Sequence, residues 1–353
     1  MNNIQSDSFK VFFSSESYKK LIQFIEDQKI SKLFILVDEN TLTNCLSVFK
    51  SKFDSAIPFE VITISSGEIS KNLNTCSQVW NELLLYGADR NSLLINLGGG
   101  MVTDLGGFVA STYKRGIRFI NIPTSLLSMV DASVGGKTGV DFGNLKNIIG
   151  VFSNPEMVLI DEDYLNTLPQ REFKCGLAEV IKYGFISNIK LWNEIMDDKE
   201  LNNNNIINLI HSSIHIKNEI VQADFYEKNL RKILNFGHTI GHAFESYFLD
   251  KKNSLNHGEA IAIGMVVELF ISYKMFHFPL DITEGLKQFV HQFYGKIKVD
   301  KNEINEIISL LSHDKKNQLG KVMFVLLKAP EQALIDCEVS QELIEEGINY
   351  YLI

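Results

Sequence analysis

The pattern of hydrophobic positions divides the chain into two parts, and the first part alternates. Between 16 and 160, short apolar runs follow segments of helical periodicity. Continuous apolar strands separated by helices are typical of a parallel sheet that is covered on both faces. The strands are predicted at 32–37, 59–64, 92–97, 118–122 and 157–160, and the helices near 16–28, 71–86 and 101–113.

After Leu168-Pro169 the pattern changes to long helical segments with few strand signals. We therefore predict an α/β domain over 1–169 and a mostly α-helical domain over 170–353. A polar run at 202–205 predicts a loop. The helices of this part are predicted at 171–186, 206–224, 229–248, 258–276, 283–294 and 303–312, with a late strand or hairpin at 321–327.

Composition indicates a soluble globular protein, with 45% hydrophobic and 22% charged residues. The net charge of −9 argues against a nucleic-acid partner. The longest apolar run, 258–270, is too short for a membrane span and contains two glutamates. Because the first residues also lack the regions of a signal peptide, we expect a cytoplasmic protein with no membrane partner. The four cysteines form no C-x-x-C pair, which argues against a thiolate zinc site.

Three of the eight histidines lie between 238 and 257. His238 and His242 are four residues apart, so on a helix they share one face, and His257 can return to that face after a short loop. Converging imidazoles are typical of a site for zinc or a similar divalent ion. The spacing does not decide between His238 and His242, and histidines that are hydrogen-bonded within a packed helix are the alternative.

Glu179 is the one acid in the apolar helical segment 176–184. A buried glutamate is costly unless it is paired or bound to a metal, which makes Glu179 a candidate third ligand. A set of two histidines and one glutamate leaves coordination positions open for water or substrate, as catalysis requires. The alternative is an ion pair with Lys182, one turn later.

The run Gly98-Gly99-Gly100 lies between the third predicted strand and a helix. Glycine lets the backbone approach a pyrophosphate closely, and the helix N-terminus offers free N–H groups. Asp104 in the first helical turn and Asp38 at a strand end suit contacts to the same ligand, as do Glu68 and Lys71. The pattern favours a dinucleotide at the carboxyl edge of the sheet, with a tight turn and ordinary surface charges as the alternative.

Glycines and small residues surround the polar groups between 114 and 147, as in a loop folded closely around a ligand. Several fixed cations suit a substrate with more than one negative group, such as phosphate plus carboxylate. These cations are Lys114, Arg115, Arg118, Lys137 and Lys146, with Lys182, Lys217 and Arg231 in the helical part.

Seven strings of the sequence carry a family resemblance, namely Gly67-Glu68-x-x-Lys71, 98–104, 123–137, Lys146-Asn147, 178–184, 236–242 and 257–260. Taken in order, they resemble the 3-dehydroquinate synthase family, the cyclising enzymes of the shikimate pathway. The resemblance runs from Asp38 to about Lys316, and the joint order of the strings is far more specific than any one of them. Ser125 stands where many relatives carry a second threonine, and Tyr164 where some carry phenylalanine.

The resemblance implies a Rossmann-like, NAD-binding α/β domain and a helical domain that binds one divalent metal ion, zinc or cobalt. It implies that Glu179, His238 and His257 are the metal ligands. The implied NAD contacts are Asp38, Glu68, Lys71, Gly99, Gly100, Asp104, Thr124, Ser125, Lys137, Lys146, Tyr164, Thr167, Leu168 and Glu172. The implied substrate contacts are Asp131, Lys137, Asn147, Lys182, Lys217, Arg231, Asn235, His242 and Lys315 or Lys316. Arg115 is expected to reach the neighbouring subunit's site in a homodimer.

The implied activity acts on a small-molecule sugar phosphate. It converts 3-deoxy-D-arabino-heptulosonate 7-phosphate into 3-dehydroquinate and phosphate, by transient oxidation with NAD, phosphate elimination, re-reduction and intramolecular aldol closure. The alternatives are another sugar-phosphate cyclase and an NAD- and metal-dependent polyol dehydrogenase. A non-catalytic protein of the same fold is disfavoured because every expected ligand and anion contact is present.

Overall fold

The computed structural model describes residues 3–5, 10–14, 16–54, 57–143, 145–197, 203–249, 251, 253–311 and 322–353. The chain divides into two compact units. The first unit comprises Met1–Phe173 and Ile210–Gln222, and the second comprises Lys174–Leu209 and Ala223–Ile353. The predicted domain boundary after 169 stays a prediction.

The first unit contains a seven-stranded sheet in the order β1-β2-β9-β6-β5-β3-β4. Only the β1–β2 pair is antiparallel, so the predicted α/β domain with a parallel sheet is confirmed. A separate antiparallel hairpin is formed by β7 and β8. In chain order the strands of this unit are β1 (Ile4–Gln5), β2 (Lys10–Phe13), β3 (Leu33–Asp38), β4 (Phe59–Ile64), β5 (Leu93–Gly98), β6 (Arg118–Pro123), β7 (Lys137–Phe142), β8 (Leu145–Phe152) and β9 (Val158–Ile160).

The rest of the described chain is mainly helical, and the second unit adds only a β-hairpin of β10 (Met323–Ala329) and β11 (Gln332–Glu338). This confirms the predicted helical character of the C-terminal part. The helices are α1 (Glu16–Asp27), α2 (Glu39–Asn44), α3 (Leu46–Lys52), α4 (Leu73–Leu85), α5 (Gly100–Thr112), α6 (Gln170–Ile186), α7 (Ile189–Asp197), α8 (Asn203–Ala223), α9 (His238–Phe248), α10 (His257–Phe276), α11 (Leu280–Phe293), α12 (Lys301–Leu310) and α13 (Gln341–Leu352).

Close packing of α5 on the sheet sets the position of its N-terminus. Every residue of β3 and β5 is buried, as strands covered on both faces require. A Cβ on Gly106 would overlap the Asn96 side chain of β5, so glycine lets the helix lie against the strand. In the register of β5 and β6, Gly98 pairs with Pro123. The loops that follow these two strands therefore start side by side at the carboxyl edge of the sheet.

The predicted helix over 229–248 is wrong, because the chain breaks at Gly237. Residues Leu230–Asn235 form a 3-10 helix, Gly237 adopts a φ of 79°, and α9 begins at His238. The predicted loop at 202–205 is wrong over 203–205, since α8 starts at Asn203, and residue 202 lies outside the described residues. The elements that were not predicted are β1, β2, α2, α3, the β7–β8 hairpin, α7 and α13.

Candidate active site

A buried carboxylate lies in the middle of α6. The Glu179 side chain is 0% exposed, and its Oε2 forms an ion pair with Lys182 Nζ. Its Oε1 lies 3.6 Å from His238 Nε2 and 3.5 Å from His257 Nε2. The structure thus contains both arrangements that the sequence left open, an ion pair at one oxygen and a histidine cluster at the other.

These three groups fit one divalent metal ion. Their ligand atoms lie within 4.8 Å of one another. Zinc binds nitrogen and oxygen ligands at about 2.1 Å in tetrahedral geometry, which places neighbouring ligand atoms about 3.4 Å apart. The distances from Glu179 Oε1 to the two imidazole nitrogens, 3.6 and 3.5 Å, agree with that value. Three protein ligands also leave a coordination position for water or substrate.

The second ring nitrogen of each histidine faces an oxygen. His238 Nδ1 lies 3.1 Å from the Phe236 carbonyl oxygen, and His257 Nδ1 lies 3.6 Å from Glu245 Oε2. Burial alone would lower the pKa of His257, but the Glu179 and Glu245 carboxylates outweigh burial and raise it to about 9. A metal that binds at Nε2 would displace the proton there, and each ring would keep its other proton on Nδ1.

His242 lies one turn beyond His238 on α9. Its ring centroid is 5.3 Å from that of His238 and 6.1 Å from that of His257. Among the described residues, His242 groups with Glu245 and His257, whereas His238 and His257 group with Glu179. His238 therefore lies beside the buried Glu179 carboxylate, and His242 lies beside Glu245 and His257.

A second buried carboxylate holds the start of α9. Glu268 is 0% exposed on α10. Its Oε2 accepts a hydrogen bond from Gly237 N at 2.6 Å, and its Oε1 accepts one from Ile240 N at 3.3 Å. N–H groups in the first turn of a helix lack partners within the helix, and a negative charge is favourable there. Glu268 consequently fixes the turn that carries His238.

The start of α10 is held just as closely. Asn256 Oδ1 accepts from Glu259 N at 3.0 Å, and Glu259 Oε2 accepts from Asn256 N at 2.9 Å, a capping box. Gly258 N donates to Cys175 Sγ at 3.1 Å, and a Cβ on Gly258 would overlap the Cys175 backbone. Because Cys175 lies one turn before Glu179 on α6, this contact sets His257 against Glu179.

In the first unit, the glycine-rich turn joins β5 to α5 at the carboxyl edge of the sheet. Gly99 is the N-cap of α5, and Thr124 N donates to Gly98 O at 3.0 Å. A Cβ on Gly99 would lie 3.3 Å from Ser125 Oγ. The bare backbone and the free N–H groups of α5 suit the phosphates of a nucleotide.

Lys71, Asp104 and Glu68 are brought together beside this turn. Lys71 is 4% exposed, and its Nζ lies 2.6 Å from Asp104 Oδ2 and 3.7 Å from Glu68 Oε1. Burial would lower the pKa of Lys71, but the two carboxylates outweigh burial and raise it above its ordinary value. Lys71 therefore remains a fixed positive charge near the first turn of α5.

Asp38 has a local structural role at the end of β3. Its Oδ1 accepts from Thr41 N at 2.8 Å, while its own N–H donates to Thr41 Oγ1 at 2.9 Å. This capping box starts α2. A contact between Asp38 and NAD stays a prediction.

Two predicted substrate contacts of the first unit form a direct pair. Lys217 Nζ donates to Asp131 Oδ1 at 2.7 Å and to the Asp131 carbonyl at 2.6 Å. Lys137 and Asn147 are exposed on the β7–β8 hairpin. Asn147 has a φ of 51°, and its N–H donates to Asp141 Oδ1 at 2.7 Å. The structure joins Asp131 to Lys217 and leaves Lys137 and Asn147 open to solvent.

In the second unit, Arg231 and Asn235 follow a tight loop after α8. Arg231 is 2% exposed, and its Nη1 donates to the Phe225 carbonyl at 2.6 Å. Asp224 Oδ2 accepts from Arg231 N at 3.1 Å, and Asn235 Nδ2 donates to Glu227 Oε1 at 2.9 Å. Backbone and carboxylate contacts thus hold both side chains in place.

The remaining predicted residues lie in varied surroundings. Tyr164 is 1% exposed, with its hydroxyl 2.7 Å from that of Tyr18, so it belongs to the core of the first unit. Lys315 and Lys316 fall outside the described residues. The exposed or half-buried ones are Arg115, Lys146, Thr167, Leu168 and Glu172. Their contacts to a ligand stay predictions.

Sequence reasoning missed three residues that contact the candidate metal ligands or the helices that carry them, namely Cys175, Glu245 and Glu268. Glu245 could have been found, because it follows His238 by seven residues and thus shares its helix face. Glu268 stood out as a charge in an apolar run. Nothing in the sequence pairs Cys175 with Gly258, since that contact depends on how two distant helices pack.

Two family models and a curated relative match most of the sequence. The sequence matches the family models of the 3-dehydroquinate synthase N-terminal region over 61–175 and C-terminal region over 176–317. The 3-dehydroquinate synthase of Parabacteroides distasonis is 40% identical over 346 residues, which cover 97% of either chain.

Two solved structures share the fold. The 2-deoxy-scyllo-inosose synthase, solved with carbaglucose-6-phosphate, NAD⁺ and Co²⁺, has a TM-score of 0.84 at 24% identity and covers 99% of both chains. The 2-epi-5-epi-valiolone synthase of Streptomyces hygroscopicus subsp. jinggangensis, with NAD⁺ and Zn²⁺ bound, has a TM-score of 0.83 at 22% identity, covering 99% of this chain and 98% of the other. Among the helices that the structure describes, none combines the length and apolarity needed to cross a membrane.

Proposed function

The chain belongs to the 3-dehydroquinate synthase family, and we propose that it converts 3-deoxy-D-arabino-heptulosonate 7-phosphate into 3-dehydroquinate and phosphate. The observation that carries this proposal is the cluster of the buried Glu179 with the half-buried His238 and His257, whose spacing fits one divalent metal ion. The net reaction is a phosphate elimination with ring closure, so the enzyme is a lyase.

NAD and one zinc or cobalt ion are the proposed cofactors. Both fold neighbours were solved with NAD⁺ and with Co²⁺ or Zn²⁺. The ligand set found here, two imidazoles and a carboxylate, is one that divalent zinc and cobalt accept. When bound, NAD accepts and returns a hydride, and the metal stabilises negative charge that develops on substrate oxygens.

The residues of the second unit would hold the metal and one end of the substrate. Glu179, His238 and His257 supply the ligand atoms. Lys182 balances the buried charge of Glu179 and keeps Oε1 turned to the histidines. His242, which lies next to His238 and His257, is proposed to contact the substrate phosphate and not the metal.

The residues of the first unit would hold the cofactor. The backbone N–H groups at Gly99 and Gly100 bind the pyrophosphate at the N-terminus of α5. Lys71, which is held by Asp104 and Glu68, is proposed to contact NAD together with these two carboxylates. Two features support these roles: the glycine turn between β5 and α5, and the ion pairs of Lys71 with Asp104 and Glu68.

Fixed cations would bind the phosphate and the carboxylate of the substrate. Arg231 is buried and anchored through its backbone and guanidinium, and Lys217 is held by Asp131. Anchored groups lose little freedom when the substrate binds, and the aldol closure is intramolecular, so positioning supplies much of the rate. Lys137 and Asn235 are proposed to complete this set.

A homodimer is proposed on the family resemblance, with Arg115 reaching the neighbouring subunit's site. Arg115 is exposed and follows the C-terminus of α5, which leaves its side chain accessible to another chain. A cytoplasmic location is proposed because a phosphorylated sugar and NAD are charged metabolites of that compartment.

Substrate choice tests the proposal against a sister cyclase. Purified protein with NAD and zinc is given the heptulosonate phosphate or sedoheptulose 7-phosphate, which lacks the carboxylate, and products are identified by mass spectrometry. We expect 3-dehydroquinate from the first substrate and no cyclised product from the second. Cyclisation of sedoheptulose 7-phosphate alone would contradict the proposal. Metal-stripped protein, which should be inactive with both, is the control.

A further inference from the structure

Glu245 faces a metal ligand without being one in the proposed site. It lies on α9, its side chain is 9% exposed, and its Oε2 is 3.6 Å from His257 Nδ1. The opposite nitrogen, Nε2, lies 3.5 Å from Glu179 Oε1. We propose that Glu245 is a positioning residue, which orients His257 and holds its proton on Nδ1 so that Nε2 is free to bind the metal.

The chemistry of imidazole supports this role. A neutral imidazole carries one proton and one lone pair, and only the nitrogen with the lone pair can bind a metal. A carboxylate near Nδ1 accepts that proton's hydrogen bond, fixes the tautomer and makes Nε2 a better donor. The His238 ring is oriented in the same sense, because its Nδ1 lies 3.1 Å from the Phe236 carbonyl. Each histidine ligand thus has its own acceptor, one neutral and one anionic.

A second metal ion bound by His242, Glu245 and His257 is the competing interpretation. Their potential ligand atoms also lie within 4.8 Å of one another. The His257 nitrogen that faces Glu245 is Nδ1, whereas Nε2 faces Glu179. Two ions would therefore require His257 to bind through both nitrogens, which demands the loss of both ring protons. One ion with an orienting carboxylate needs only the ordinary neutral ring.

Helix α9 carries both His238 and Glu245, so its position affects His238 directly and His257 through Glu245. Glu245 follows His238 by two turns on α9, so a single rigid element carries one metal ligand and the group that orients another. Glu268 on α10 in turn holds the first turn of α9. Correct placement of α9 consequently sets both histidine ligands at once.

The test measures metal binding, without substrate or NAD, in the wild type, Glu245→Gln, Glu245→Ala and Glu259→Gln. Zinc affinity is measured by competition with a chromogenic chelator, stoichiometry by elemental analysis, and ligand geometry by the visible spectrum of the cobalt form. The Glu259→Gln control removes one negative charge on α10 close to His257, and glutamine can still serve the capping box.

We expect the wild type to bind one ion. Glu245→Ala should bind zinc about 10–100-fold more weakly. Glu245→Gln should lose less than Glu245→Ala, because its amide oxygen can accept a hydrogen bond from Nδ1 although it carries no charge. Both variants should keep a tetrahedral cobalt spectrum, and the control should match the wild type.

The inference rests on the metal site of the proposed function. Different experimental results would overturn the inference alone or both together. A wild type that binds no metal would overturn both. Wild-type affinity in both Glu245 variants would overturn the inference alone, as would two ions in the wild type with one in Glu245→Gln. Glu245→Gln is nearly isosteric, so it decides the question if Glu245→Ala does not fold.

Discussion

At the scale of single residues, the two oxygens of Glu179 have different partners. Oε2 is paired with Lys182, and Oε1 faces the Nε2 atoms of His238 and His257. A buried carboxylate with one lysine partner is electrically balanced, and the lone pairs at the other oxygen stay directed at the histidines. One fully buried side chain can therefore form an internal ion pair and still offer an oxygen to the proposed metal ion.

The first prediction separates metal ligands from their neighbours on α9 and α10. His257→Ala should lose metal and turnover together, because it removes one of three ligand atoms. His242→Ala should keep a full metal ion and lose turnover. Metal content by elemental analysis beside phosphate release measures both effects. Full metal in His257→Ala with none in His242→Ala would show that the ligand assignment is wrong.

A second prediction concerns the lysine beside Glu179. Lys182→Met removes the partner of a buried carboxylate, so the metal-free protein should lose about 3–5 kcal/mol of unfolding free energy. Zinc supplies a new positive charge at Oε1, so it should raise the melting temperature more in the variant than in the wild type. Equal zinc-induced shifts in the two proteins would argue against a metal at this oxygen.

A third prediction addresses the anion pocket. Arg231→Ala should raise the KM for the sugar phosphate by a large factor, because the lost guanidinium cannot be replaced by a neutral side chain. Bound zinc should stay at the wild-type level, since Arg231 is not a metal ligand. Steady-state kinetics and metal analysis on the same preparation test this, and unchanged kinetics would remove Arg231 from the pocket.

At the scale of helices, the starting points of α9 and α10 place the histidines. Glu268 holds the first turn of α9, and the contact of Gly258 with Cys175 holds the start of α10 against α6. Both contacts are made by a residue adjacent to a proposed metal ligand, Gly237 beside His238 and Gly258 beside His257. Small shifts of either helix should therefore affect the metal more than the fold.

Gly258→Ala tests this at the tightest contact. Its new Cβ would overlap the Cys175 backbone, so α10 must move, at a cost of about 1–3 kcal/mol in stability and with a marked loss of zinc affinity. Gly285→Ala on α11 is the matched control, since no atom lies within 4 Å of its new Cβ. That change should stabilise the protein by about 0.5–1 kcal/mol. Thermal unfolding and chelator competition measure both, and equal zinc affinity in the two variants would refute the positioning role.

The same elements show what hydrophobic patterns can and cannot predict. Strands β3, β5 and β9 are fully buried, so continuous apolar runs located them in the sequence. The break at Gly237 was missed because one glycine within a helical pattern costs only about 1 kcal/mol and leaves the periodicity intact. The β7–β8 hairpin was missed because β8 exposes apolar side chains such as Leu145, Ile148 and Phe152, which gives no alternation between a buried and an open face.

At the scale of the whole molecule, the proposed metal centre combines three helices that are separated in sequence. Glu179, His238 and His257 lie on α6, α9 and α10. Local patterns suggested each residue as a ligand but could not choose between His238 and His242, which depends on helix packing. The family resemblance made that choice, which stays a prediction and is supported by the grouping of His238 and His257 with Glu179. The proposed chemistry in turn requires NAD to be regenerated in every turnover.

The ratio of phosphate released to NAD supplied tests this requirement most directly. Purified protein is incubated with the heptulosonate phosphate, zinc or cobalt, and NAD far below the substrate concentration, while phosphate and NADH absorbance are followed together. We predict many phosphates per NAD and no accumulation of NADH. NADH that builds up in proportion to the substrate consumed would contradict a redox-neutral cyclase and indicate a polyol dehydrogenase.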